Sequence, residues 1–464
     1  MSTLNKNITP IPGPLEARAV LKLALLACVV GAVVGLVTAF FRLALQRADS
    51  CRDALIAWAH GRPWVGFLLI VGIVAGTASV ACWLVQRFSP HAVGSGIPHV
   101  EAVVNAELPP APFSLLPVKF VGGCLAIGGG LALGREGPSV QMGASIGSLL
   151  GRAFRLNHSD CIALLAGGAG AGLATAFNAP IAGAVFVLEE LVRRFDTRIA
   201  IAALAASAAA IASARPLLGQ LPDFQVQLPS YSGVWSGVMF VVLGLLAGLV
   251  GVAYNRSLLG ALALFARLRA HPPLRAAVVG AGVGAIAWFG PALVGGGDTL
   301  TQRALSGGEL LRWLPMLFAF RFVLGSASYA AGTPGGLFAP MLVLGAQLGL
   351  LFAALCRLGL PNFAPPPAAF AVAGMAAFFT AVVRSPVTGI ILVIELTNGF
   401  TQLLPMLWAC FAAMTIPTLL NDPPIYDSLK ERTLRPAEVS IAIEPHAKES
   451  VEIRGCDATG QEDL

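Results

Sequence analysis

The chain has 464 residues, 56% hydrophobic and 12% charged, with a mean hydropathy of +0.78 and a formal net charge of +6. That balance excludes an ordinary soluble domain, and 52 glycines with 32 prolines exclude a simple row of unbroken spans. The basic residues cluster between apolar runs (Arg193, Arg194 and Arg198; Arg267, Arg269 and Arg275; Lys430, Arg432 and Arg435), whereas 217–233 holds no Lys or Arg, so the charge marks cytoplasmic and external sides and not a nucleic-acid partner.

Residues 1–17 are polar and read as a cytoplasmic tail. Apolar runs long enough to cross a bilayer recur from Ala19 to the neighbourhood of Leu420, which predicts a polytopic, all-helical membrane protein. The first run, Ala19 to Leu45, is too long for a signal-peptide core and has no cleavage pattern after it, so it belongs to the mature chain. A second run covers 65–87, and the charged stretch between them (Arg47, Asp49, Arg52, Asp53) predicts a loop.

Gly94-Ser95-Gly96-Ile97-Pro98 comes next. A serine between glycines can donate one hydrogen bond to a bare anion without bringing a charge. The plain alternative is a turn in which Ser95 binds nearby backbone. From Phe113 to Glu190, apolar pieces alternate with Gly- or Pro-rich breaks, and many are too short to cross alone, so they must pack on one another at membrane depth. One break is Gly134-Arg135-Glu136-Gly137-Pro138. Proline suits the first turn of a helix and not its interior, so this loop feeds a helix N-terminus, which is an anion site. Yet it carries its own anion, Glu136, which is costly at membrane depth unless it has a task. A carboxylate can hold an anion's seat and leave when protonated.

An internal repeat organises the rest. Gly134, Pro138, Gly143 and Gly147 recur as Gly336, Pro340, Gly345 and Gly349; Gly168, Pro180, Gly183 and Glu189 recur as Gly374, Pro386, Gly389 and Glu395. The chain therefore divides into a first repeat at 18–216, an external linker at 217–233, a second repeat at 234–426 and a polar cytoplasmic tail at 427–464. The repeat by itself leaves the relative orientation of the halves open. In Gly335-Gly336-Leu337-Phe338-Ala339-Pro340 an apolar Phe338 replaces Glu136, leaving the Leu337 and Phe338 amides free for a ligand. Glu189 recurs as Glu395, which favours capping or pairing in both halves. Glu190 faces Leu396 across the repeat and is the functional candidate; the alternative is an interfacial ion pair with Arg193 or Arg194. Tyr426, after the last run, is either an interfacial anchor or a phenol folded back toward a pore.

Enzymatic patterns are weak. Gly143-Ala144-Ser145-Ile146-Gly147 spells a nucleophile elbow, but that motif needs a strand-turn-helix and a histidine base. Gly143 and Gly147 also have a helix-packing spacing. There is no phosphate-binding loop, and the eight cysteines are scattered singly without metal-ligand spacing, which predicts free thiols.

Taken together, Gly94–Pro98, Gly134–Pro138 with Ser139-Val140-Gln141, and Gly335–Pro340 resemble the three motif loops of the CLC family of chloride channels and proton-coupled chloride transporters, over roughly residues 19–430. The resemblance implies an inverted repeat of tilted and broken helices in a homodimer with one pore per subunit. It also implies that Ser95 and Tyr426 hold chloride by their hydroxyls, joined by the Leu337 and Phe338 amides. Glu136 would be the external gate and Glu190 the internal proton-transfer residue that channels of the family typically replace. Members with proline in place of Ser95 favour nitrate and fluoride-selective ones also depart from serine, so Ser95 points to chloride. His99 stands where close bacterial relatives tend to be acidic, and the paired cytoplasmic nucleotide-sensing domains of most eukaryotic members are lacking, as in a bacterial inner-membrane protein.

The expected function is chloride/proton antiport, with chloride and protons as substrates, the bilayer and a second copy as partners, and no cofactor or metal. A passive voltage- or pH-gated chloride channel is the alternative, since the fold hosts both. An intramembrane hydrolase using Ser145 is the remote one.

Overall fold

The computed structural model describes residues 14–226, 234–308, 311–359 and 364–443. The start of the N-terminal tail, the 227–233 part of the linker expected to be external, the C-terminal tail beyond 443 and its Cys456 lie outside the described residues. The described residues contain 17 α-helices and no strand. The first half runs α1 (Pro14–Ala59), α2 (Pro63–Phe88), α3 (Ile97–Val104), α4 (Leu115–Gly128), α5 (Glu136–Ala153), α6 (His158–Phe177), α7 (Pro180–Phe186) and α8 (Thr197–Leu218). The second runs α9 (Val234–Arg267), α10 (Pro272–Phe289), α11 (Asp298–Ser306), α12 (Leu314–Ala330), α13 (Phe338–Gly359), α14 (Pro367–Val383), α15 (Pro386–Thr397), α16 (Leu403–Leu419) and α17 (Ile425–Ile443). Proline opens α2, α7, α10, α14 and α15, where its missing N–H costs nothing.

One expectation is corrected. The charged stretch from Arg47 to Asp53 is not a loop but the continuation of α1, which runs on to Ala59. No glycine or proline interrupts the chain between Gly35 and Gly61, and Arg52 bridges Asp49 one turn back at 2.7 Å and Asp53 at 2.9 Å. Charge alone does not break a helix that its own i,i+3 pair supports.

Eight helices among the described residues are long and apolar enough to cross a membrane. Their burial is uneven: 83% of the apolar window is buried in α6 and α13, against 33% in α1 and α2. The central helices are therefore wrapped by protein, and the outer ones present apolar side chains such as Leu21, Leu25, Leu68 and Trp83 to the surroundings. At the centre α5 lies on α6 and α13 on α14. A Cβ at Gly143 or Gly147 would overlap the Gly168 or Leu164 carbonyl, and one at Gly345 or Gly349 would overlap that of Gly374 or Phe370. The repeated glycines are thus the close-packing surface of the same helix pair in both halves. Ser145, between two of them, sits mid-helix and donates its hydroxyl to the Gln141 carbonyl at 2.9 Å, with none of the strand-turn-helix setting of a nucleophile.

The halves are joined about a local two-fold axis. Gly134 and Gly336 exchange both backbone hydrogen bonds, at 2.8 and 2.7 Å, in an antiparallel bridge. Glu189 accepts the N–H groups of Val387 and Thr388 at 3.0 and 2.6 Å, and Glu395 reciprocally accepts those of Ile181 and Ala182 at 3.1 and 2.7 Å. Each glutamate caps the opposite repeat's helix, which offsets exposed amides and the positive helix end together. The capping task read from their recurrence is the one they perform.

Candidate functional site

Three loops meet between the repeats, separated by little more than backbone. Gly94 and Gly96 flank Ser95 at φ 60° and 78°, left-handed values that favour glycine. The Gly94 N–H donates to Thr333 at 3.1 Å and its carbonyl accepts from Gly335 at 3.0 Å, tying the Ser95 loop to the loop before α13. A Cβ at Gly137 would strike Ser95 at 2.8 Å, and one at Gly336 would strike the Gly137 nitrogen at 2.9 Å. These positions admit only glycine because three chain segments share the space. Pro98, Pro138 and Pro340 lie in the first turns of α3, α5 and α13.

Ser95 is fully buried, with Oγ accepting the Ile97 N–H at 3.3 Å. Behind it, the Tyr329 hydroxyl accepts the Ser95 N–H at 3.4 Å. Lys119, also fully buried, donates to the carbonyls of Ala92 and Gly94 at 3.1 and 2.7 Å and so anchors the start of the loop. We expect Lys119→Met to leave the Ala92 carbonyl without a donor, at a cost of about 1–3 kcal/mol. The variant should melt earlier in detergent and move its anion more slowly; an unchanged melting temperature and unchanged flux would show that Lys119 does not hold the loop.

Glu136 opens α5, buried to 1% exposure. Its carboxylate faces two amides, its own and that of Ala339 in α13, while Oε2 has no protein partner among the described residues. The carboxylate therefore lies between the repeats, near the N-termini of α5 and α13, a position where backbone amides stabilise negative charge. Arg135 points the other way. It pairs with Asp223 at 3.0 Å and Asp298 at 3.1 Å and donates to the Ala176 carbonyl at 3.2 Å. Arg42 shares Asp223 at 2.9 Å and binds the Thr175 carbonyl at 3.0 Å. The backbone carrying Glu136 is thus clamped from both halves.

Phe338, where the second repeat lacks a carboxylate, opens α13 among Phe177, Phe186, Phe379 and Tyr426, with ring centroids at 6.0, 5.8, 4.9 and 6.3 Å. Leu337, just before it, is fully buried. Tyr426 is fully buried in the first turn of α17, so it is no interfacial anchor, and its hydroxyl has no protein partner among the described residues. A buried phenol normally finds one. The same helix packs against α3, the helix that follows Ser95.

Glu190 lies on a π-helical turn, Val187–Leu191, buried to 2% exposure. It accepts the Ser385 hydroxyl and lies 3.4 Å from Arg193. Glu189 beside it goes to the α15 N-terminus, so the neighbouring carboxylates have separate tasks. A cavity of about 600 Å³ lined by Glu189, Glu190, Arg193, Arg194 and Arg384 opens on this side. His99 is buried with its ring tilted 40° against that of His91, centroids 4.7 Å apart, and its Nε2 has no protein partner among the described residues.

Sequence reasoning missed Lys119, Glu101, Ser385 and the pairing of Arg135. Lys119 had a readable signal, a lone amine within an apolar run, since ionisable groups at membrane depth are costly without a role. Glu101 has the same character, an acid in the run that follows Pro98. Ser385 had none.

Fold and site together define a multi-pass membrane protein in which broken helices from two inverted repeats bring their N-termini to one buried centre. The family model for voltage-gated chloride channels matches residues 76–418, and the chain belongs to this family, known as CLC. It is 38% identical to the H⁺/Cl⁻ exchange transporter ClcA of Vibrio parahaemolyticus, over 89% of this chain and 90% of that protein. Among solved structures it is similar to a slow cyanobacterial Cl⁻/H⁺ antiporter, with a TM-score of 0.86 and 34% identity, covering 89% of this chain and 98% of the other. It is also similar to a CLC-type fluoride/proton antiporter, with a TM-score of 0.73 and 25% identity, covering 88% and 98%.

Proposed function

We propose that this protein exchanges chloride for protons across the membrane. The observation that carries the reading is the place of the Glu136 carboxylate: buried in the first turn of α5, beside the Gly134–Gly336 bridge that joins the repeats and near the start of α13, with Oε2 unpartnered among the described residues. As a carboxylate it competes with chloride; once protonated it loses its attraction for the amides and yields the seat. Glu136 is the external gate. Glu190, buried on the side of the cytoplasmic cavity, receives or delivers the proton there. The hydroxyls of Ser95 and Tyr426 and the amides of Leu337 and Phe338 hold the central chloride without a full positive charge, which lets the ion leave again.

The substrates are chloride and protons, with no cofactor. The protein works as a homodimer in the inner membrane of a bacterial cell, both termini cytoplasmic, its two repeats at 18–216 and 234–426 joined by the external linker 217–233. The exposed side chains of Ile181 and Val387, beside the reciprocal caps of α7 and α15, support a second copy on that face.

Reconstitution in liposomes carrying a chloride gradient tests the reading. Chloride moving down its gradient should drive protons uphill, and the reversal potential should shift with a pH gradient. A reversal potential indifferent to pH, with no uphill proton movement, would leave a passive channel.

A further inference from the structure

Glu190 reaches the interior through an irregularity of the chain. The π-helical turn Val187–Leu191 closes with Val192 donating to the Val187 carbonyl at 2.9 Å, which inserts one extra residue. The next residue, Arg193, has φ 53°, a left-handed value uncommon outside glycine. That turn brings its guanidinium back over the glutamate. Nε donates to the Glu190 carbonyl at 3.2 Å, and Nη2 lies 3.4 Å from the Glu190 carboxylate, 3.8 Å from Glu101 and against Asp427. Nη1 binds Asp427 as well, at 3.1 Å.

The groups around it form one network. Lys430 pairs with Glu101 at 3.0 Å and Glu107 at 3.6 Å, and Ser385 from the loop before α15 holds the other side of Glu190. Asp427 and Lys430 both belong to α17, Asp427 directly after Tyr426 and Lys430 one turn on. Glu101 belongs to α3, which follows Ser95. One guanidinium thus connects the inner carboxylate to α17, which carries the Tyr426 hydroxyl, and to α3, which follows the Ser95 loop. No other cation among the described residues pairs with Glu190.

We infer that Arg193 is a positioning residue for proton transfer, holding the Glu190 carboxylate in place and tying its charge state to α17. When Glu190 is charged, Arg193 divides its hydrogen bonds between Glu190 and Asp427, with Glu101 within ion-pair distance. When a proton neutralises Glu190, the guanidinium shifts toward Asp427 and Glu101, and the first turn of α17 with Tyr426 feels the change. This rests on the exchange reading of Glu190.

The test measures chloride and proton fluxes together, with full-length protein in liposomes. Arg193→Gln should lower the ratio of protons to chloride by about tenfold, the loss expected for one charge-assisted hydrogen bond, and Arg193→Lys should recover most of it. A residue that only supports the fold would lower both fluxes together, with the ratio and its pH profile unchanged, and that result overturns the inference. Glu190→Gln is the companion: if it abolishes coupling while Arg193→Gln does not, the inference falls and the exchange reading stands. If wild type shows no coupling, both fall. Asp427→Asn provides a second, milder route, weakening the tie to α17 by removing its charge and one acceptor while leaving Arg193 on Glu190. It should alter chloride turnover with the ratio kept, and no change in turnover overturns the link to α17.

Discussion

Glu136→Gln is expected to abolish proton-coupled transport and to leave a chloride path that no longer responds to external pH. In the native protein the carboxylate is buried between the repeats, near the N-termini of two helices. Its affinity for that place comes from charge. A carboxylate gains protons as pH falls, so acid should release it and raise chloride flux, and flux should decline toward neutral pH as the charge returns. Glutamine keeps the volume but carries neither charge nor exchangeable proton, so both the pH response and the coupling disappear. The backbone gives little room for compensation, because Arg135, bound to Asp223, Asp298 and the Ala176 carbonyl, pins the loop from outside. The movement must come from the side chain. Chloride efflux and proton uptake measured across acidic to neutral external pH would check this. Uphill proton movement persisting in Glu136→Gln would show that the gate is elsewhere.

Much of this site was legible in the sequence because its chemistry is carried by residues that break helices. Gly134, Pro138, Gly336 and Pro340 are needed wherever backbone meets backbone, and they stand out at any composition. The contrast between Glu189, matched by Glu395, and Glu190, matched by Leu396, marks Glu189 for capping or pairing and Glu190 as the functional candidate from the sequence. What stayed hidden was long-range pairing. Lys430 finds Glu101 across 329 positions, and Arg135 finds Asp223 across 88. Neither distance leaves a periodicity to read, and Arg193 and Lys430 looked like markers of the cytoplasmic side. The π-helical turn was equally silent, since one inserted residue alters no composition and yet turns Glu190 inward. The unbroken α1 shows the opposite error: a cluster of charges suggested a loop where only a missing glycine or proline would have told otherwise.

Glu190→Gln is the second large effect. The amide can still accept from Ser385, and the Arg193 bond to the Glu190 carbonyl is untouched, so the turn should keep its shape. On the proposed exchange mechanism, what is lost is the proton carrier. Chloride efflux should continue, while proton uptake driven by a chloride gradient falls below detection. The reversal potential should then move to chloride's own equilibrium value, about 59 mV per tenfold gradient. The adjacent Glu189 supplies the control. Glu189→Ala removes the cap from α15, at a cost of about 0.5–2 kcal/mol, and should lower thermal stability with the coupling ratio intact. The two carboxylates are neighbours in the chain and alike in chemistry, so position alone separates the outcomes. The reverse result, coupling lost in Glu189→Ala and kept in Glu190→Gln, would mean that protons enter along the α15 cap and not through the Arg193 cluster.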